Sequence, residues 1–224
     1  MSDFIKVLLV GSSGKGKTFT SKTLNQNTTG FINAENKPLL FGTKFKYHSR
    51  PSNFEEAYKA IIEYVKNPEI DLVFIDSFSA ILEYSLTEAR KTKKGYDVWN
   101  HYNECISKLL ELIKRAPKTM FITAHYEVIE NVDGNNEKMV KTKGKEWRGQ
   151  IEREFSVVLF ADSKFDDTTK KPIYWYNTFQ EGTSAKCSSE LISELTIPND
   201  GKLIFDNIIK FQGNTTTKQK EKLA

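Results

Sequence analysis

The sequence is poor in the residues that staple or metallate small domains. Cys105 and Cys187 are its two cysteines in 224 residues. Two are too few for a disulfide framework and fit a reducing, cytoplasmic setting. The three histidines, His48, His101 and His125, show no ligand spacing with the cysteines, so a structural zinc is not expected. No apolar run approaches the ~18 residues of a membrane span, and no signal peptide precedes the first apolar run. A membrane is therefore not an expected partner. Internal repeats and long low-complexity tracts are missing too.

What remains is an ordinary globular composition, 38% hydrophobic and 28% charged, enough for one sizeable domain. The net charge is only +4 but is uneven. Residues 90–148 carry 13 Lys or Arg against 8 Asp or Glu, a basic stretch that could meet a polyanion.

Apolar runs at 4–10, 28–35, 71–76 and 119–125 read as buried strands. A helix is expected from near Lys17 and another over 53–67, with Ser52 and Glu55 as a capping box, and helical spacing marks a third at 97–115. Strands alternating with helices predict a mainly parallel central sheet with helices on both faces. Residues 155–162 and 172–179 predict a C-terminal antiparallel hairpin, and 202–205 with 208–211 a short edge pair. One core over 1–212 is expected, followed by a disordered tail over 213–224.

The segment Gly11, Ser12, Ser13, Gly14, Lys15, Gly16, Lys17, Thr18 fits G-x-x-x-x-G-K-[ST] at every fixed position, between a buried strand and a helix. Glycines let backbone N–H groups turn inward around phosphates. Lys17 would reach the β- and γ-phosphates of ATP, the Thr18 hydroxyl would ligate Mg²⁺, and Phe19 follows in the same pocket. Asp76 ends the run Leu72–Asp76 at the sheet edge where ligands bind. It is the expected second magnesium residue.

Around this motif the chain resembles RecA-like P-loop ATPase cores, and among them phage-encoded nucleotide-binding and single-strand annealing ATPases. The resemblance rests on residues 31–39 (FINAENKPL), 75–80 (IDSFSA) and 120–125 (MFITAH). It implies that Glu35 polarises the water attacking the γ-phosphate and that His125 senses the γ-phosphate, where recombinases usually have Gln. Two basic loops would bind single-stranded DNA. The first, 84–99, offers Arg90, Lys91, Lys93 and Lys94; the second, 129–150, offers Lys138, Lys141, Lys143, Lys145 and Arg148, with Trp147 to stack on a base. Lys186, or else Lys143 or Lys145, would enter a neighbouring subunit's ATP site. The resemblance thus implies a DNA-dependent ATP hydrolase acting in phage-type recombination or annealing as a homo-oligomeric ring or filament, with a single-strand-binding protein as a further partner. The chain opens directly at strand one, without the polymerisation segment or C-terminal DNA-binding domain of true recombinases; this favours annealing, loading or ring-type roles. Two other readings stay open, a small-molecule kinase and an ATP-binding switch acting on a protein partner.

Overall fold

Strands form where the sequence is almost continuously apolar, and they assemble into one twisted sheet. The computed structural model describes residues 4–130 and 134–223, with side chains through 213. Its eight-stranded sheet has the order β10-β9-β8-β1-β5-β4-β2-β3. These strands are β1 (Lys6–Val10), β2 (Thr29–Asn33), β3 (Tyr47–Ser49), β4 (Leu72–Asp76), β5 (Thr119–Ala124), β8 (Val157–Asp166), β9 (Lys171–Asn177) and β10 (Thr196–Pro198). Pairing is parallel from β8 through β3 and antiparallel from β8 to β10. The remaining strands, β6 (Tyr126–Glu130) and β7 (Asn136–Val140), form a separate hairpin.

Successive side chains of a strand face opposite sides, and both faces are covered. Leu8, Val10, Ile32, Ile75 and Ile122 pack against helices α1 (Phe54–Lys66), α2 (Phe78–Thr92) and α3 (Asp97–Arg115). Val7, Leu9, Phe31, Phe74 and Phe121 face the other way, onto Ile204 and Ile208 of α4 (Gly201–Leu223). The expected α/β architecture and the C-terminal hairpin are present.

Several local expectations are corrected. Only a six-residue 3-10 helix, Thr18–Thr23, follows the glycine-rich loop. Helix α1 is capped one residue later than expected: Asn53 accepts from Glu56 N, and Glu56 reaches back to Ser52 N at 2.7 Å. The expected loop 84–99 is largely α2, because Ser77 caps it and Phe78, Ile81, Leu82, Leu86 and Ala89 form a buried stripe. Residues 202–211 are α4 rather than an edge pair. Ile204 and Ile208, four apart, make one helical face, and short apolar runs do not separate helix from strand. The backbone of α4 continues to Leu223 through the segment expected to be disordered; side chains beyond 213, and Ala224, lie outside the described residues. The basic 129–150 segment is partly the β6–β7 hairpin, with residues 131–133 outside the described set. No helix among the described residues is long and apolar enough to cross a membrane.

Gly30 in β2 shows how tightly α1 is seated. A Cβ there would lie 2.6 Å from Tyr64 Cδ2 and 3.1 Å from Ile70 Cδ1. Gly30→Ala should cost about 1–3 kcal/mol through overpacking. A denaturant midpoint equal to wild type would show that Tyr64 yields freely.

Candidate functional site

Parallel strands deliver their carboxyl ends to one edge. Register sets Val10 opposite Ala124 and Asn33 opposite Asp76, with Ile75 opposite Ile122, so Asp76 reaches Thr123. Asp76 is 3% exposed. Its Oδ2 accepts from Thr18 Oγ1 at 2.8 Å and its Oδ1 from Thr123 Oγ1 at 2.6 Å. Its backbone carbonyl accepts from Ala34 N and Glu35 N. One residue therefore ties together the glycine-rich loop, β5 and the segment after β2.

Beside it lies the buried Lys17, whose Nζ donates to Gly11 O at 2.7 Å and Ser12 O at 2.8 Å. Lys17 Nζ is also 3.4 Å from His125 Nδ1, and His125 Nε2 is 3.3 Å from Glu35 Oε1. The neutral tautomer with its proton on Nε2 satisfies both contacts. Glu35 accepts further from Ser77 Oγ at 3.0 Å and Lys37 Nζ at 2.6 Å.

The same ring of groups shifts pKa values in opposite directions. Hydrogen bonds from His125, then Lys37 and Ser77, hold Glu35 down at about 2 against opposing burial. Burial pushes Asp76 up, although Thr123 and Thr18 donate to it. Burial also lowers Lys17 to about 8, against the pull of Asp76 and Glu35.

A cavity of about 360 Å³ is lined by Ser13–Phe19, Glu35, Lys37, Asp76 and His125. Every residue expected at the phosphate site from Ser13 onward faces it, and Gly11 and Ser12 hold Lys17. Its other end is apolar. Phe19 meets Phe41 edge-on at 5.7 Å and Tyr174 at 5.8 Å, beside Pro38, Leu39 and Leu40, a surface on which a nucleobase could stack. A buried, hydroxyl-bonded carboxylate beside a threonine is a hard oxygen donor set. It fits Mg²⁺, which usually takes one or two carboxylates and completes its shell with water and phosphate. No cluster of three His, Cys, Asp or Glu suited to a metal occurs among the described residues, so the fit is for a metal carried with phosphate.

The other predicted residues lie elsewhere. Arg90 and Lys91 end α2, and Lys93 and Lys94 lie in the turn before α3, all exposed. Lys141, Lys143, Lys145 and Arg148 are exposed on the loop after β7. That loop packs on the start of α3: Lys143 N donates to Tyr102 Oη at 3.0 Å, and Asn103 bonds Glu146. Both basic segments therefore meet at one end of α3. Trp147 is half-buried against the core, its indole nitrogen enclosed. The exposed aromatics of this end are Tyr96 and Trp99. Lys186 pairs through its backbone with Val158 and lines a separate cleft with Glu137, Lys138 and Arg153; within one chain it is not at the phosphate cavity.

Sequence reasoning missed Lys37, Ser77, Thr123, Phe41 and Tyr174. Ser77 directly follows Asp76 and Lys37 lies two residues from Glu35, so proximity was the available signal. Tyr174 had none, being 157 residues from Lys17 by their numbers.

Residues 3–187 match the profile of an AAA-domain family. No curated protein is detectably similar. Among solved structures, a KaiC-like protein from the hyperthermophilic archaeon Pyrococcus horikoshii is similar at 15% identity and a TM-score of 0.49, over 77% of each chain.

Lys17 generates a pH prediction. Its folded pKa near 8 lies below the ordinary 10.5, so above pH 8 anion binding must carry proton uptake. ATP affinity should be flat from pH 6.5 to 7.5 and weaken up to about tenfold per unit above 8. Titration calorimetry in buffers of differing ionisation enthalpy should show that proton uptake at pH 9. Affinity flat to pH 10 would show that Lys17 stays charged.

Proposed function

The chain belongs to the AAA-domain family whose profile spans residues 3–187, and from that premise we propose that it is a Mg²⁺-dependent ATPase regulated by single-stranded DNA. The observation that carries the hydrolase reading is the junction at Asp76, where loop, metal residue and Glu35 segment share one carboxylate and one carbonyl.

In this reading the backbone of residues 13–18 and the Lys17 ammonium hold the β- and γ-phosphates. Thr18 and Asp76 hold Mg²⁺, which when bound offsets phosphate charge. Glu35 sits across from them. Held near pKa 2, it is a weak proton acceptor at neutral pH, so its task is to orient the attacking water. His125 lies between Lys17 and Glu35, where it can register a γ-phosphate.

DNA binding is supported by the convergence of both basic segments at the start of α3. A bonded route also leads there from the site. Lys141 N donates to His125 O at 2.8 Å, and Val140 N to Glu152 Oε1 at 2.6 Å. Movement of His125 would be passed directly to the loop bearing Lys141, Lys143 and Lys145. Phage-type annealing or recombination, self-assembly and a trans-acting Lys186 extend this reading to a second copy of the chain.

One observation favours a kinase as the second reading. A groove of about 770 Å³ shares Glu35, Lys37 and His125 with the phosphate cavity and is lined by Ser52, Tyr84 and Thr87. It is large enough for a hydroxyl-bearing acceptor.

ATP turnover with and without single-stranded DNA tests the proposal. DNA should stimulate hydrolysis, and DNA affinity read from half-maximal stimulation should fall with salt, with a log–log slope of about −0.7 per phosphate contact. Glu35→Gln should lower turnover about 10²-fold through lost orientation of the water while sparing ATP binding. Turnover indifferent to DNA would remove the DNA arm, and a phosphorylated small molecule among the products would favour the kinase.

A further inference from the structure

The phosphate loop is also gripped by residues beyond 187, where the family match ends. Strand β10 leads into Asn199, between Pro198 and the start of α4. Asn199 Nδ2 donates to Gly16 O at 2.9 Å, and its Oδ1 accepts from Thr20 Oγ1 at 2.8 Å. Gly16 O receives one further donor, Thr20 N at 3.2 Å. Asn199 is itself fixed, since its N–H donates to Tyr174 O at 3.2 Å. The approach is close: a Cβ on Gly16 would lie 2.7 Å from Asn199 Nδ2 and 2.8 Å from Tyr174 Cδ1.

We propose that Asn199 is a positioning residue of the phosphate site, setting the direction of the Gly16–Lys17 peptide for a nucleoside triphosphate. The proposal rests on the reading of residues 11–18 as a phosphate loop. In a trans peptide the C=O and the following N–H point opposite ways. Holding Gly16 O toward Asn199 aims Lys17 N–H away from α4, to the side where residues 13–19 line the cavity. Gly16 has φ +82, and a glycine backbone rotates at little steric cost. The helix that follows is a six-residue 3-10 turn, whose hydrogen-bond geometry is poorer than that of an α-helix. Thr20 N is the local restraint on this carbonyl, and the side chain of Asn199 adds a second, shorter one from 183 residues away.

The test compares Asn199→Ala and Asn199→Asp with wild type, measuring the ATP dissociation constant, KM, kcat and the melting temperature without nucleotide. Asp keeps the acceptor for Thr20 but cannot donate to Gly16 O. Both variants should weaken ATP binding and raise KM about tenfold, the loss of one restraining hydrogen bond, with kcat at saturation within about twofold. Thr23→Val breaks a neighbouring contact of the same interface, Lys202 N to Thr23 Oγ1 at 3.2 Å. It should lower the melting temperature without moving KM. Unchanged affinity in both Asn199 variants would overturn the proposal. So would a KM rise in Thr23→Val that matches theirs for the same loss of melting temperature, since the effect would then be packing alone. A wild-type chain that binds no ATP, or binds it equally well as Lys17→Ala, would instead overturn the phosphate-loop reading beneath it.

Discussion

A buried carboxylate governs the site. Asp76 is taken almost wholly out of water, and an ionised carboxylate in that position is costly unless paired. Two threonine hydroxyls share the charge, one on the glycine-rich loop and one on β5. The Asp76 carbonyl meanwhile fixes the turn that presents Glu35. Remove the carboxylate and the glycine-rich loop and β5 lose their common anchor. Keep it and burial still raises its pKa, which leaves a strong demand for positive charge. In the proposed ATPase a magnesium ion carried in with phosphate would meet that demand.

The sheet makes this junction affordable. Its parallel strands are filled with Val, Leu, Ile and Phe on both faces, and that burial drives folding. At the carboxyl ends of the central strands the buried polar residues Asn33, Asp76 and Thr123 gather with His125 at one edge. Of the charges there, Glu35 pairs with Lys37, while Lys17 is held by backbone carbonyls and Asp76 by threonine hydroxyls. Lys17 loses proton affinity by burial, and Glu35 is held ionised by three donors. Each group is therefore poised for a ligand that brings both an anion and a cation.

The parts of the site legible in the sequence were those set by local pattern. The phosphate loop follows a fixed spacing, Asp76 closes an apolar run, and Glu35 and His125 follow strands whose runs are equally plain. Parts set by contact between distant segments were not legible. Tyr174 and Asn199 reach the loop because β8, β9 and β10 extend the sheet beside β1, and nothing near residues 11–18 announces that. Helix α4 is not legible because two short apolar runs fit either period. Helix α2 is masked in the sequence by its basic end, because Arg90 and Lys91 follow directly on the buried stripe from Phe78 to Ala89.

We propose that metal and nucleotide meet at Asp76, and ATP affinity with and without Mg²⁺ in wild type and Asp76→Asn tests this most directly. The amide keeps the size of the side chain and can still accept a hydrogen bond, but it carries no charge. Wild type should bind ATP more tightly with magnesium, and Asp76→Asn should lose that gain while binding metal-free ATP no worse. A magnesium gain of the same size in both proteins would contradict the account.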